Sequence, residues 1–161
     1  MTKIVPSLWF DGQAEEAAHF YTGIFPNSRI GQVSRHDSQS AQTSGQTPGH
    51  VLAVAFELDG RPFLALNGGP MFKFTEAISL TVNCDTQEEL DRYWNVLSAG
   101  GQTQRCGWLK DKFGLSWQIV PAILGPLMTG GPPGQAARVM GALLKMEKPD
   151  IQTLETAAAA I

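Results

Sequence analysis

A chain of 161 residues with 43% hydrophobic and only 17% charged side chains has enough apolar material for a core, and charge-driven disorder is excluded, since an average soluble protein carries about 25% charged residues. Twelve Lys and Arg against 15 Asp and Glu leave a formal charge of -3; no basic run of five or six residues exists to neutralise a phosphate backbone, which argues against nucleic acid as a partner. The longest weakly polar run, Ile119 to Met128, is broken by Pro121, Gly125 and Pro126 and is too short for a membrane span.

The opening Met-Thr-Lys-Ile-Val-Pro lacks the apolar core of a signal peptide. Ile4, Val5, Leu8, Trp9 and Phe10 form a β-prone run that stops at Asp11-Gly12. From Gln13 to Phe25, apolar residues recur every three or four positions (Ala14, Ala17, Ala18, Tyr21, Ile24), which predicts a helix ended by Pro26-Asn27. Ile30 to Ser34 reads as a short strand. Arg35 to His50, rich in Ser, Gln, Thr and Gly without period, predicts a mobile surface loop. Val51 to Leu58 reads as a buried strand, Asp59-Gly60-Arg61-Pro62 as a tight turn, and Phe63 to Leu66 as the hairpin partner, ending in Asn67-Gly68-Gly69-Pro70.

The second half repeats this order. Ala77 to Val82 predicts a strand, Asp85 an N-cap, and Leu90, Tyr93, Trp94 and Leu97 the apolar face of a helix closed by Gly100-Gly101. Trp108-Leu109, a turn at Asp111 to Gly114, and a strand from Leu115 to Val120 follow. A shift of 74 residues sets Asp11 on Asp85; a shift of 73 sets Phe20 on Tyr93 and Ile24 on Leu97; a shift of 54 sets Gly60 on Gly114 and Phe63 on Trp117. These matches point to an internal repeat. Beyond Pro121 the pattern is helical: Pro132-Pro133 precedes a face with Ala136, Met140, Leu143 and Leu144, and Asp150 caps a last helix. Two cysteines, Cys84 and Cys106, are too few for a disulfide framework and fit a reducing, cytoplasmic setting.

Written twice, the βαβββ order carries two blocks, Phe10-Asp11-Gly12-Gln13-Ala14-Glu15-Glu16-Ala17 with Ala65-Leu66-Asn67-Gly68-Gly69-Pro70, and Cys106-Gly107-Trp108 through Trp117-Gln118. In these the chain resembles the PhnB-like branch of the glyoxalase/bleomycin-resistance (vicinal oxygen chelate) superfamily, from about Ile4 to Leu154. The resemblance implies an α+β fold: two modules over 1–72 and 73–121, whose curved sheets form a cleft for a small molecule, and a helical extension over 122–161, one compact domain overall. It also implies a homodimer. This branch is often labelled 3-demethylubiquinone-9 3-methyltransferase, yet no Gly-x-Gly-type loop follows the first strand to cradle S-adenosylmethionine.

Metal-dependent relatives place His, Gln or Glu on the first and last strands of each module. The matching positions here are Val5, Leu64, Ala77 and Gln118, with Ser79 or Asn67 entering if the alignment slips. Hydrocarbon side chains offer no lone pair, so no metal and no cofactor is expected. The expected ligand-binding cleft is lined by Trp9, Phe63, Met71, Phe72, Trp108 and Trp117, with Asn67 and Gln118 orienting the ligand by amide hydrogen bonds. The expected function is metal-free binding of an unidentified small molecule. The alternatives are a metal-dependent isomerase, lyase, dioxygenase or transferase of the superfamily, and the methyltransferase of the label. Cys106 is expected to be inert, and Asp111 to be a solvated turn residue.

Overall fold

The computed structural model describes residues 2–160, which fall into two compact units meeting in sequence at Lys73 and Phe74. In the first, strand β1 (Ser7–Phe10) leads into helix α1 (Ala14–Ile24), strand β2 (Arg29–Arg35), helix α2 (Ser38–Ser44), and strands β3 (Val51–Leu58) and β4 (Arg61–Asn67). The sheet order is β1-β4-β3-β2, with β1 parallel to β4 and the other neighbours antiparallel.

Alternation sorts this sheet into two faces. Leu8, Phe10, Val54, Phe56, Phe63 and Ala65 are buried on one of them, where α1 presents Ala14, Ala17, Ala18 and Tyr21. The small alanines bring the helix close enough for Tyr21 to stack on Phe56 at 6.4 Å, and Phe56 stacks on Phe63 at 5.4 Å. The other face carries Ser7, Trp9, Ala53, Ala55, Leu64 and Leu66 by register.

The second unit contains β5 (Ser79–Cys84), α3 (Gln87–Ser98), β6 (Gln102–Thr103), β7 (Trp108–Lys110) and β8 (Ser116–Pro121). Its order, β5-β8-β7-β6, reproduces the first sheet strand for strand. The register matches as well: Phe10 opposes Asn67 as Cys84 opposes Pro121, and Ser7 opposes Leu64 as Thr81 opposes Gln118. The repeat read from the spacing is therefore a duplicated topology. Thr86, rather than the expected Asp85, is the N-cap of α3; its side chain accepts from Glu89 N, while Glu89 Oε2 accepts from Asp85 N at 2.9 Å.

Helices α4 (Leu124–Thr129), α5 (Gln135–Leu143) and α6 (Ile151–Ala159) close on a small core of Val139, Leu143 and Leu154, against which Cys106, Leu124 and Leu127 pack. Asp150 caps α6 as the sequence predicts, accepting from Thr153 N at 2.7 Å. This extension is stitched to the unit by main chain: Cys106 N donates to Met146 O and Gly107 N to Glu147 O. Gly107 lies at φ +83, and a Cβ there would crowd Ile119 O and Pro149.

Two further expectations need correction. Arg35 to His50 is not a structureless loop, because α2 forms inside it: Asp37 Oδ1 accepts from Ser40 N at 2.7 Å, Gly45 closes the helix at φ 69, and Ala41 is buried beneath it. Ala77 lies in the turn before β5 rather than on a strand. Among the described residues, no helix is long and apolar enough to cross a membrane.

Candidate functional site

The sheet faces turned away from α1 and α3 are where the two units differ. On the first unit, a pocket of about 360 Å³ is lined by Val5, Gly31, Ala55, Phe56, Pro62, Phe63 and Leu64, with Arg29 and Glu57 at its edge. Gly31 keeps it open, since a Cβ there would sit 3.1 Å from Ala55 O. Arg29 and Glu57 pair at 2.8 Å, and the carboxylate holds the guanidinium pKa above its ordinary value.

Trp9 lies on the same face, one step further along β1. Its indole Nε1 donates to Gly69 O at 2.9 Å, and Phe72 meets the ring edge-on at 5.0 Å between centroids. A Cβ on Gly68 would fall within the Trp9 ring, so this glycine is what lets the indole lie flat on the chain. Met71 beside it is 77% exposed.

The second unit's equivalent face is polar. Gln118 Nε2 donates to Ser79 Oγ at 2.9 Å. Trp108, Lys110, Ser79, Thr81 and Ser116 share that face by register. Lys110 Nζ reaches Glu76 Oε1 at 2.7 Å and Gln104 Nε2 donates to the same oxygen at 3.1 Å. The Lys110 contact, first of several, lowers the Glu76 pKa to about 2.

The residues expected to line one cleft are thus sorted by the pleat. Trp9 and Phe72 come together, Met71 stands exposed next to Phe72, and Trp108 and Gln118 oppose each other across β7 and β8. Trp117 does not join them, lying on the helix-covered side with 2% exposure; Phe63 packs against Phe56 on the helix-covered side of the first sheet and also contributes to the lining of the apolar pocket. Asn67 serves as a frame. Its Oδ1 accepts from Ala14 N at 2.9 Å, capping α1, and its Nδ2 donates to Val51 O at 3.0 Å.

Asp111, expected in solvent, is 2% exposed. Its Oδ1 accepts from Phe113 N and Leu115 N, and its Oδ2 from the Trp117 indole. Nothing in the local sequence but the Trp six residues later signals this.

The register also fixes which residues of the two units correspond at the positions where the resemblance leads one to look for metal ligands. The counterpart of Val5 is Ser79, not Ala77, giving Val5, Leu64, Ser79 and Gln118. Two are hydrocarbon, and the Gln118 amide is engaged with Ser79. This donor set does not fit a divalent ion. Among the described residues, no group of three or more His, Cys, Asp or Glu is placed to hold a metal.

Residues 2–120 match the family model for 3-demethylubiquinone-9 3-methyltransferase. Among solved structures, the PhnB protein from Bacillus cereus is similar at 36% identity and a TM-score of 0.67, over 75% of this chain and 100% of that one. Protein PA1353 from Pseudomonas aeruginosa is similar at 20% identity and a TM-score of 0.56, over 73% and 95%. A mutant of the fosfomycin resistance protein FosX from Listeria monocytogenes, complexed with Mn(II), matches at 16% identity and a TM-score of 0.53, over 85% and 99%. These last two likenesses are of fold alone. No curated protein matches the chain.

Proposed function

The chain belongs to the 3-demethylubiquinone-9 3-methyltransferase family, in its PhnB-like branch within the vicinal oxygen chelate superfamily, and on that premise we propose that it binds a small, largely apolar organic molecule on the open face of its first sheet without help from a divalent metal. The observation that carries this reading is the apolar pocket at Val5, Ala55, Pro62, Phe63 and Leu64 on the open face of the first sheet. Burying about 120 Å² of apolar ligand surface there would contribute about 3 kcal/mol. The Arg29–Glu57 pair gives one polar edge that orients a hydroxyl or carbonyl, and the Trp9–Phe72 pair extends the apolar surface along β1.

The same reading disfavours methyl transfer. Asp11-Gly12 runs straight into α1, whose leading N–H is taken by Asn67, and no glycine-rich loop is present there to hold a nucleotide-like cofactor. We further propose a cytoplasmic homodimer. Exposed Ile4, Met71 and Phe72 of the first unit support an association surface, and sedimentation at micromolar concentration checks it.

Displacement of an environment-sensitive apolar dye tests the binding role. Saturable binding that Leu64→Glu abolishes, with the fold retained by circular dichroism, is expected, together with no heat on titrating S-adenosylmethionine. Binding untouched by Leu64→Glu would overturn the assignment to this face. Elemental analysis showing a stoichiometric divalent ion, lost on changing Gln118, would overturn its metal independence.

A further inference from the structure

A second cavity of about 360 Å³ lies at the far end of the first unit, where β1 and β4 finish, α1 begins, and the strand after α2 returns. Its lining is hydrophilic: Asp11, Glu15, Arg35, Gln46 and His50, over a floor made by Asn67 and neighbouring glycines. These side chains fall into two sets. Asn67 is spent on Ala14 N and Val51 O; Arg35 is spent on Glu15 Oε1 at 3.1 Å and Gly49 O at 3.3 Å. Both therefore build the walls. Asp11, Gln46 and His50 make no side-chain hydrogen bond or ion pair among the described residues.

With the Arg35–Glu15 pair neutral as a whole, the charge left facing the cavity is the Asp11 carboxylate. That acceptor, beside an amide and an imidazole that both donate and accept, matches a cation bearing further hydrogen-bonding groups. The glycines help: Gly12 at φ +84 and Gly69 at φ +87 have nothing within 4 Å of a would-be Cβ, so the rim stays low.

We propose that this cavity is a binding site for a small hydrophilic amine of amino-acid size, its ammonium on Asp11 and its polar remainder against Gln46 and His50. The site shares no lining residue with the apolar pocket of the open face, so the two assignments stand or fall separately.

Amide chemical shifts of the intact protein, titrated with L-lysine, with cadaverine and with acetate up to about 10 mM, a range that reads millimolar affinities, test it. Shifts at 11–15 and 46–50 are expected with both amines and not with acetate. Asp11→Asn should weaken binding at least tenfold, and Gln46→Ala severalfold, with the melting temperature unchanged because neither side chain is bonded within the fold. Absence of shifts, equal shifts with acetate, or affinity indifferent to Asp11→Asn would each overturn the proposal.

Discussion

The indole Nε1 of Trp117 donates to Asp111 Oδ2 at 2.8 Å inside the second unit, and the other carboxylate oxygen takes two main-chain N–H groups of the β7–β8 turn. One buried carboxylate thus ties a turn to a core aromatic. Replacing it by an amide would turn an N–H₂ group toward either the indole N–H or the turn N–H groups, a donor facing a donor. Asp111→Asn should cost about 2–3 kcal/mol, which lowers the melting temperature by roughly 5–10 °C in a chain of this size. Adding Trp117→Phe should cost less than it does alone, because the clash is relieved. Strict additivity in this cycle would refute the coupling.

Gly68 and Trp9 form the second test. A methyl group at position 68 has no room beneath the indole, so Gly68→Ala must displace Trp9 and break its bond to Gly69 O. Apolar dye binding on the open face and the Trp emission maximum should both change. If neither moves, Trp9 plays no part in shaping that face.

The Glu76 carboxyl, held by Lys110, has its pKa lowered to about 2. A depressed carboxylate adds stability that is present above its unfolded pKa and disappears as pH falls through the folded value. Its contribution therefore fades from about pH 4.5 down to about pH 2 and is already small in high salt, since the pair is exposed. Carboxyl carbon shifts followed against pH should place the Glu76 midpoint well below the ordinary glutamate range. A midpoint in the ordinary range would contradict the Lys110 pairing.

Both thiols are free, but they differ in burial. Cys84 has no exposed surface, and burial, chiefly, pushes its pKa up to about 12. At pH 8 a thiol reagent should modify one cysteine, identified by peptide mapping as Cys106, and reach Cys84 only after denaturant is added. Equal rates at the two sites would mean that the α3 side of the second sheet opens readily.

Removing residues 122–161 should leave a folded but weaker protein. Cys106 N and Gly107 N would lose Met146 O and Glu147 O, Gln87 would lose its bonds to Pro149 O and Ile151 N, and Asp91 would lose Lys148. The family model spans residues 2–120, consistent with sheets that stand without the extension. A two-state melt at lower temperature is expected; loss of cooperative melting would show that the helices are integral.

Much of this was legible from residue order. Alanines at 14, 17 and 18 with Tyr21 announce α1, and the offsets of 74 and 54 residues foretell a register that repeats through β1 and β5, β4 and β8. Alternation divides each strand into two sets without saying which set a helix covers. That is why Phe63 and Trp117 go to the core while Trp9 and Gln118 do not: only Tyr21 and Phe56 packing decides the sign in the first unit. Helix α2 escapes a periodicity reading because a single residue, Ala41, is buried; its signals are the Asp37 cap and Gly45. The apolar pocket at Leu64 could be inferred only as missing ligands, since a void depends on neighbours brought together from β2, β3 and β4.

Asn67-Gly68 is the dipeptide most prone to spontaneous loss of ammonia, in which the glycine nitrogen attacks the asparagine side-chain carbonyl to close a succinimide. Here the two reacting groups are held apart in purpose: the side-chain amide is pinned from both sides by Ala14 N and Val51 O, and Gly68 N donates to Phe10 O at 3.0 Å. Hydrolysis to a carboxylate would remove the donor to Val51 O and set two acceptors against each other at the start of β3, while the bond from Ala14 N is kept. Chemical ageing at this position is accordingly a property of the unfolded chain, and the accumulation of aspartate or isoaspartate at 67 would record how often each molecule has opened.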